Sequence, residues 1–94
     1  MADFDVLIPL YRADKPEIFD QAYQSILKNT LKPQKVVLVI DGPIPKKLQS
    51  IVQNWQEIDS TLCVVRLPEN YGIVTALNIG LRECTSDYVI RCDS

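Results

Sequence analysis

Apolar positions along the chain follow two rhythms, short continuous runs and stripes of helical period, and the two alternate from the first residues to the last. Val6-Leu7-Ile8 is a compact run ended by Pro9, as expected of a strand buried on both faces and stopped by a residue that cannot donate to a ladder. In "ADKPEIFDQAYQSILKN", Asp14 stands three residues before Glu17 in a capping-box-like start with proline in the first turn. Ile18, Ala22, Ile26 and Leu27 follow at helical spacing. Val36 to Ile40 is aliphatic throughout and mostly β-branched, which predicts a central parallel strand ending at Asp41. Gly42 and Pro43 break it, and Leu48, Ile51, Val52 and Trp55 make the stripe of an amphipathic second helix. "TLCVVRL" predicts a third strand and "PENYG" a turn. "IVTALNIGLREC" predicts a third helix facing inward through Ile73, Ala76, Leu77, Gly80, Leu81 and Cys84. Glycine at 80 costs roughly 1 kcal/mol against alanine inside a helix, so close packing is expected there. "DYVIRC" reads as a fourth, buried strand, in which Arg91 must pair with a carboxylate or reach a crevice.

Strands alternating with helices at this spacing require parallel crossovers of one hand. The expected fold class is therefore α/β, a Rossmann-like open doubly wound parallel sheet in the order β-α-β-α-β-α-β with helices on both faces. Ligands of such sheets bind beyond the carboxyl ends of the strands, near the point where strand order reverses. That singles out Pro9 to Arg12, Asp41 to Pro43, Leu67 to Gly72, and Asp93.

Composition narrows the chemistry. Ninety-four residues, 47% hydrophobic and 23% charged, fit one soluble globular domain and leave no room for a second. Net charge is -2, with basic residues scattered singly apart from Lys46-Lys47, so nucleic-acid binding is not expected. No run approaches the roughly 20 apolar residues of a membrane span and the chain does not begin like a signal peptide, so a cytoplasmic protein is expected. Cys63, Cys84 and Cys92 form no CxxC pair and are expected to be buried small hydrophobes. There is no histidine, which leaves carboxylates, hydroxyls or a bound cation for any chemistry. Neither GxGxxG after the first strand nor GxxxxGK followed by Ser or Thr occurs, which removes dinucleotide dehydrogenases and P-loop proteins.

At the strand ends stand an aromatic, Tyr11, and two carboxylates, Asp41 and Asp93. An aromatic stacks on a planar base; a carboxylate accepts from a ring nitrogen or ribose hydroxyl, or holds a hard cation. Four stretches, "VLIPLYRADKPEIFDQAYQSILKNT", "VVLVIDGP", "ENYGIVTALNIGL" and "DYVIRCDS", run the length of the chain. In this order and spacing they resemble the nucleotide-sugar-dependent glycosyltransferases of family 2, which have the GT-A fold. Arg12, Gly42-Pro43 and Leu77 depart from the family's commoner residues.

The resemblance implies that residues 1–94 are the amino-terminal, nucleotide-sugar-binding part of a glycosyltransferase, the acceptor-binding part being absent. Pro9, Leu10 and Tyr11 would line the base pocket, with Tyr11 stacked on uracil or another base, and Asp41 would accept from the base. Asn70 and Gly72 would let the loop and third helix approach the nucleotide. Asp93 would be the first acid of an Asp-x-Asp motif and bind the ribose or a divalent cation, Mg or Mn; the second acid would follow Ser94, so the chain looks cut inside its own metal site. No catalytic residue is assigned to these residues. The implied partners are a nucleoside diphosphate sugar, UDP-linked, and a glycan or lipid-linked acceptor in cell-surface polysaccharide synthesis, with the whole enzyme peripheral to a membrane.

Two other readings compete. Asp41 at the end of a hydrophobic strand could be the phosphoacceptor of a receiver-like signalling domain, although no acidic pair follows the first strand. Alternatively, the chain could be an interaction module without a ligand, self-associating through an exposed sheet edge.

Overall fold

The computed structural model describes residues 3–92. Four strands, β1 (Phe4–Leu10), β2 (Lys35–Asp41), β3 (Leu62–Leu67) and β4 (Tyr88–Arg91), alternate with α1 (Pro16–Lys28), α2 (Lys46–Ile58) and α3 (Ile73–Glu83). All pairings are parallel and the spatial order is β3-β2-β1-β4. The chain winds outward from β1 to β3, then returns through α3 to the far side of β1. Strand order therefore reverses between β1 and β4, as the alternation of runs and stripes requires.

The two faces of the sheet are filled unequally. Val6, Ile8, Leu10, Val36, Leu38 and Ile40 point to one face and meet Phe19, Tyr23 and Ile26 of α1 and Leu48, Val52 and Trp55 of α2 in one buried cluster. Tyr23 stacks on Trp55 at a centroid distance of 4.7 Å and meets Phe19 edge-on. The polar ends of the stacked pair are both satisfied: the Tyr23 hydroxyl donates to Asp59 at 2.8 Å and Trp55 Nε1 donates to Asp20 at 2.8 Å. Burial first, then the bond to Asp59, pushes the Tyr23 hydroxyl far above its ordinary pKa. The opposite face holds a smaller cluster of Leu7, Val37, Val39 and Ala76 under α3. Gly80 is buried there, and a Cβ added to it would collide with the Leu7 side chain and come within 2.8 Å of Val39 Cγ2. The glycine lets α3 sit low on the sheet.

Several local expectations are corrected. β1 does not stop before Pro9 but runs through it to Leu10. Helix α1 starts at Pro16 with Lys15 as an uncapped N-cap residue, so Asp14 and Glu17 form no capping box. Its buried stripe is Phe19, Tyr23 and Ile26, while Ile18 is exposed. On α3, Ile73 and Leu81 are likewise exposed, because a small-residue contact through Ala76 and Gly80 presents a narrower face than the apolar pattern suggests. β4 is not buried: Tyr88 is 62% and Ile90 52% exposed, since among the described residues β4 is an edge strand with β1 as its one neighbour. The cysteines form no disulfide and are only half-buried.

Candidate functional site: a cleft at the carboxyl ends of β1 and β2

The sheet opens where its order reverses. Leu7 directs its carbonyl toward β4 and accepts from the Cys92 N–H at 2.9 Å. Pro9, two residues on, has no N–H to return, and the β1–β4 register ends at Leu7 opposite Arg91. Beyond this point β1 delivers Leu10 and Tyr11 into a tight turn. Asp14 closes the turn by accepting from the Tyr11 N–H at 3.0 Å, while its own N–H donates to the Tyr11 carbonyl at 3.1 Å. The Tyr11 ring is left 44% exposed on the rim.

β2 ends in Asp41, which is 6% exposed. Its carboxylate accepts from two consecutive main-chain groups, the Tyr71 N–H at 2.8 Å and the Gly72 N–H at 3.0 Å. Its carbonyl accepts from Asn70 Nδ2 at 3.3 Å. Gly42, the next residue, has φ +89°, and a Cβ there would lie 2.8 Å from the Asn70 nitrogen. Gly72 has φ +97° and is the N-cap of α3, which no side chain caps. Thus the β2–α2 turn and the loop before α3 are pressed together through main chain, and both glycines occupy conformations that other residues rarely adopt.

These strand ends enclose a cleft of about 360 Å³. Pro9, Leu10, Tyr11, Asp41, Asn70 and Gly72, read from the sequence as one site, all line it. Asp93, given the ribose or metal role, lies outside the described residues. Arg91 also lines the cleft, as the cationic member of a wall that includes Asp14 and Asp41. Among the described residues no group of three carboxylates, thiols or imidazoles is placed to hold a metal ion. Asp41 has its carboxylate turned to N–H donors, so a cation is not expected on it. The phosphoacceptor reading of Asp41 fits poorly for the same reason: its oxygens hold a loop, and the residues after β1 are Tyr11 and Arg12 rather than an acidic pair.

Sequence reasoning missed two carboxylates, one at the cleft and one at the opposite, amino end of the strands. One is Asp14, taken for a helix cap. The other is Asp5, fully buried in β1, which accepts from the Thr85 N–H at 2.8 Å, the Ser86 N–H at 3.1 Å and the Ser86 hydroxyl at 2.7 Å. Burial acts to raise its pKa, but the bonds from Ser86 and Thr85 and the nearby Lys35 charge outweigh it and hold the carboxyl below its ordinary 3.8. Asp5 thereby ties the turn before β4 to the amino end of β1. The signal available in sequence was an acid inside an apolar strand, which requires partners of this kind.

The sequence profile of "Glycosyl transferase family 2" matches residues 5–94. Over 91 residues the chain is 40% identical to the amylovoran biosynthesis glycosyltransferase AmsE of Erwinia amylovora, covering 97% of this chain and 34% of that protein. It is 38% identical to the UDP-Gal:alpha-D-GlcNAc-diphosphoundecaprenol beta-1,3-galactosyltransferase of Escherichia coli, with 97% and 33% covered. The chain thus spans about a third of the length of these curated relatives. Among solved structures, the mannosyltransferase PcManGT of Pyrobaculum calidifontis, in complex with GDP-Man and Mn2+, superposes with a TM-score of 0.81 at 24% identity. That match covers 99% of this chain and 29% of the other. The first 349 residues of S. aureus TarS superpose with a TM-score of 0.77, also at 24% identity, covering 97% and 27%. At this identity the two structures establish the shared fold.

Proposed function

The chain belongs to glycosyl transferase family 2, and from that premise we propose that its parent protein transfers a sugar from a nucleoside diphosphate donor to a lipid-linked or polysaccharide acceptor, with residues 1–94 supplying the nucleotide-binding part. The observation that carries this is the convergence of Pro9, Leu10, Tyr11, Asp41, Asn70 and Gly72, from three separate segments, on one cleft at the point where strand order reverses. Tyr11 offers a ring face to a base, and the uncapped first turn of α3 offers main-chain donors to an anion. Arg91 adds a positive charge on the β4 side of the same cleft.

Uracil is the proposed base, because the relative at 38% identity is named for a UDP-sugar, whereas the GDP-Man complex is a likeness of fold at 24%. A divalent cation, Mg or Mn, belongs to the same proposal with Asp93 as its ligand; when bound it would neutralise the leaving diphosphate. The acceptor in the name of the Escherichia coli relative supports a glycan or lipid-linked acceptor bound by the rest of the parent, and a cytoplasmic, membrane-peripheral placement belongs to the same proposal. An amide NMR titration with UDP, repeated with magnesium, tests the nucleotide site. Concerted shifts of Tyr11, Asp41 and Gly72 are expected, even at a millimolar dissociation constant of about -4 kcal/mol. Silence toward every nucleoside diphosphate, in this chain and in the full-length parent, would remove the proposal.

A further inference from the structure

We infer that Asp14 is a positioning residue for the nucleotide: it fixes the turn that aims the Tyr11 ring at the base, and it does so without touching the ligand itself. The inference rests on the nucleotide-binding proposal and assigns a role within it. Asp14 holds Tyr11 at both of its main-chain polar groups. The Asp14 carboxylate accepts from the Tyr11 N–H at 3.0 Å, and the Asp14 N–H donates to the Tyr11 carbonyl at 3.1 Å. The second bond closes a β-turn through Arg12 and Ala13, and the first ties the entry of that turn to its exit. With both groups committed to one partner, the backbone of Tyr11 keeps little freedom. The ring is 44% exposed on the rim of the cleft, so its direction comes from the backbone that carries it.

Asp14 is itself held from the core. Lys15, extended ahead of Pro16, leads directly into α1. Within the first turn of that helix Phe19 is wholly buried, and its N–H donates to the Lys15 carbonyl at 3.1 Å. The rim of the cleft is thus fastened at one end to β1 and at the other to the α1–α2 core, with the Asp14 bonds spanning the gap. Charge points the same way. Asp14 lines a cleft assigned to an anion, and there a carboxylate repels a diphosphate. The turn it closes explains an acid at this place, since its oxygen faces a main-chain donor.

The experiment uses the full-length parent with UDP and compares Asp14→Ala, Asp14→Asn, Tyr11→Ala and the double alanine variant. Helix α1 begins without a side-chain cap, so none of these changes removes one. Asparagine keeps an acceptor oxygen for the Tyr11 N–H and lacks the charge. The readouts are UDP affinity, the ring-current shift of the uracil H5 and H6 signals on binding, and, without ligand, amide hydrogen exchange at Tyr11. Tyr11→Ala removes the stacked ring and should weaken UDP by about 5- to 150-fold and abolish the ring-current shift. Asp14→Ala should weaken UDP by about two- to ten-fold, reduce the same shift, and speed Tyr11 exchange by about ten-fold. Asp14→Asn should keep the wild-type value of all three.

Once Tyr11 is alanine, adding Asp14→Ala should change UDP affinity no further, because Asp14 acts only through the ring. If the two losses add instead, or if asparagine at 14 weakens UDP as much as alanine does, Asp14 meets the ligand by its own charge and the inference is overturned. An unchanged ring-current shift, or an unchanged Tyr11 exchange rate, in Asp14→Ala overturns it as well. A parent that binds no nucleoside diphosphate removes the functional proposal and this role with it. That result is seen in the wild type, whereas the outcomes that overturn the Asp14 assignment alone come from a wild type that binds.

Discussion

The α1–α2 face of the sheet and the β4 edge are built from the same kinds of residue, yet they end in opposite states. On the first, twelve apolar side chains, from Val6 to Trp55, are buried in one cluster with an aromatic stack at its centre. At the second, Tyr88 and Ile90 are more than half exposed, and the turn before β4 is fixed to the sheet by one carboxylate, Asp5. Apolar packing is non-directional and tolerates small shifts, whereas three hydrogen bonds to a buried carboxylate demand one position. The fold thus puts most of its hydrophobic material under α1 and α2 and anchors the turn before the edge strand by polar contacts.

The sharpest way to break this contrast is a deletion in the full core. Phe19→Ala removes a wholly buried ring from α1 and should cost about 3–5 kcal/mol. Val89→Ala in β4, where the side chain is only partly covered, should cost no more than about 1 kcal/mol. Denaturant midpoints of the two variants at constant slope measure the difference, and equal losses would show that the β4 region is as well packed as the rest.

Next in size is the polar attachment itself. Asp5→Asn weakens the bonds from Thr85 and Ser86 and should lower stability by about 1.5–3 kcal/mol at neutral pH. Because the folded state holds the Asp5 carboxyl below 3.8, its ionised form favours folding. That contribution is fully present above pH 3.8 and is lost as pH falls through the lower folded value. Wild type minus Asp5→Asn, measured by urea denaturation from pH 7 downward, should narrow only in that acidic window. A difference that is flat with pH would mean the carboxylate charge plays no part.

What was readable in advance follows the same division. β2 and α2 are set by local pattern, an unbroken β-branched run and a clean stripe from Leu48 to Trp55, so both lie where the sequence puts them. β4 carries an equally apolar run, but whether a strand is central or at an edge depends on neighbours that its own residues do not encode. The start of α1 was misjudged because Asp14 bonds backward to Tyr11 instead of forward into the helix, two uses of one side chain that sequence cannot separate. At the cleft, strand-end position singled out the stretches Pro9 to Arg12, Asp41 to Pro43 and Leu67 to Gly72, which between them hold Pro9, Leu10, Tyr11, Asp41, Asn70 and Gly72 of its lining. The partners of Asp41 and Asp5 were hidden, since they lie roughly thirty and eighty residues away.

A smaller effect tests how tightly α3 covers its own face. Alanine at Gly80 gains about 1 kcal/mol of helix propensity. Its Cβ, however, meets Leu7 and Val39 on the two central strands, an overpacking that costs about 1–3 kcal/mol. The Leu7 end can swing aside but Val39 is β-branched and stiff, so a net loss of about 1 kcal/mol is expected. A gain in stability would mean that α3 can ride up from the sheet, and would extend the looseness of the β4 edge to the whole second face.

The least energetic change should have the clearest effect on assembly. β4 pairs with β1 on one side only, and beside it Phe4, Val6, Ile26, Leu31 and Ile90 line an apolar groove of about 300 Å³. An unpaired edge next to exposed apolar side chains is the usual template for strand addition. The chain by itself should therefore show concentration-dependent association in sedimentation equilibrium. Ile90→Lys puts a charge on that edge at a position already half exposed, so its cost to folding should stay within about 0.5 kcal/mol, while the dimer population falls. A wild-type chain that remains monomeric at high concentration would show the β4 edge to be protected by its own twist and shortness. Association that Ile90→Lys leaves untouched would move the contact elsewhere, with the exposed Tyr71, Ile73 and Val74 at the start of α3 as the next surface to charge.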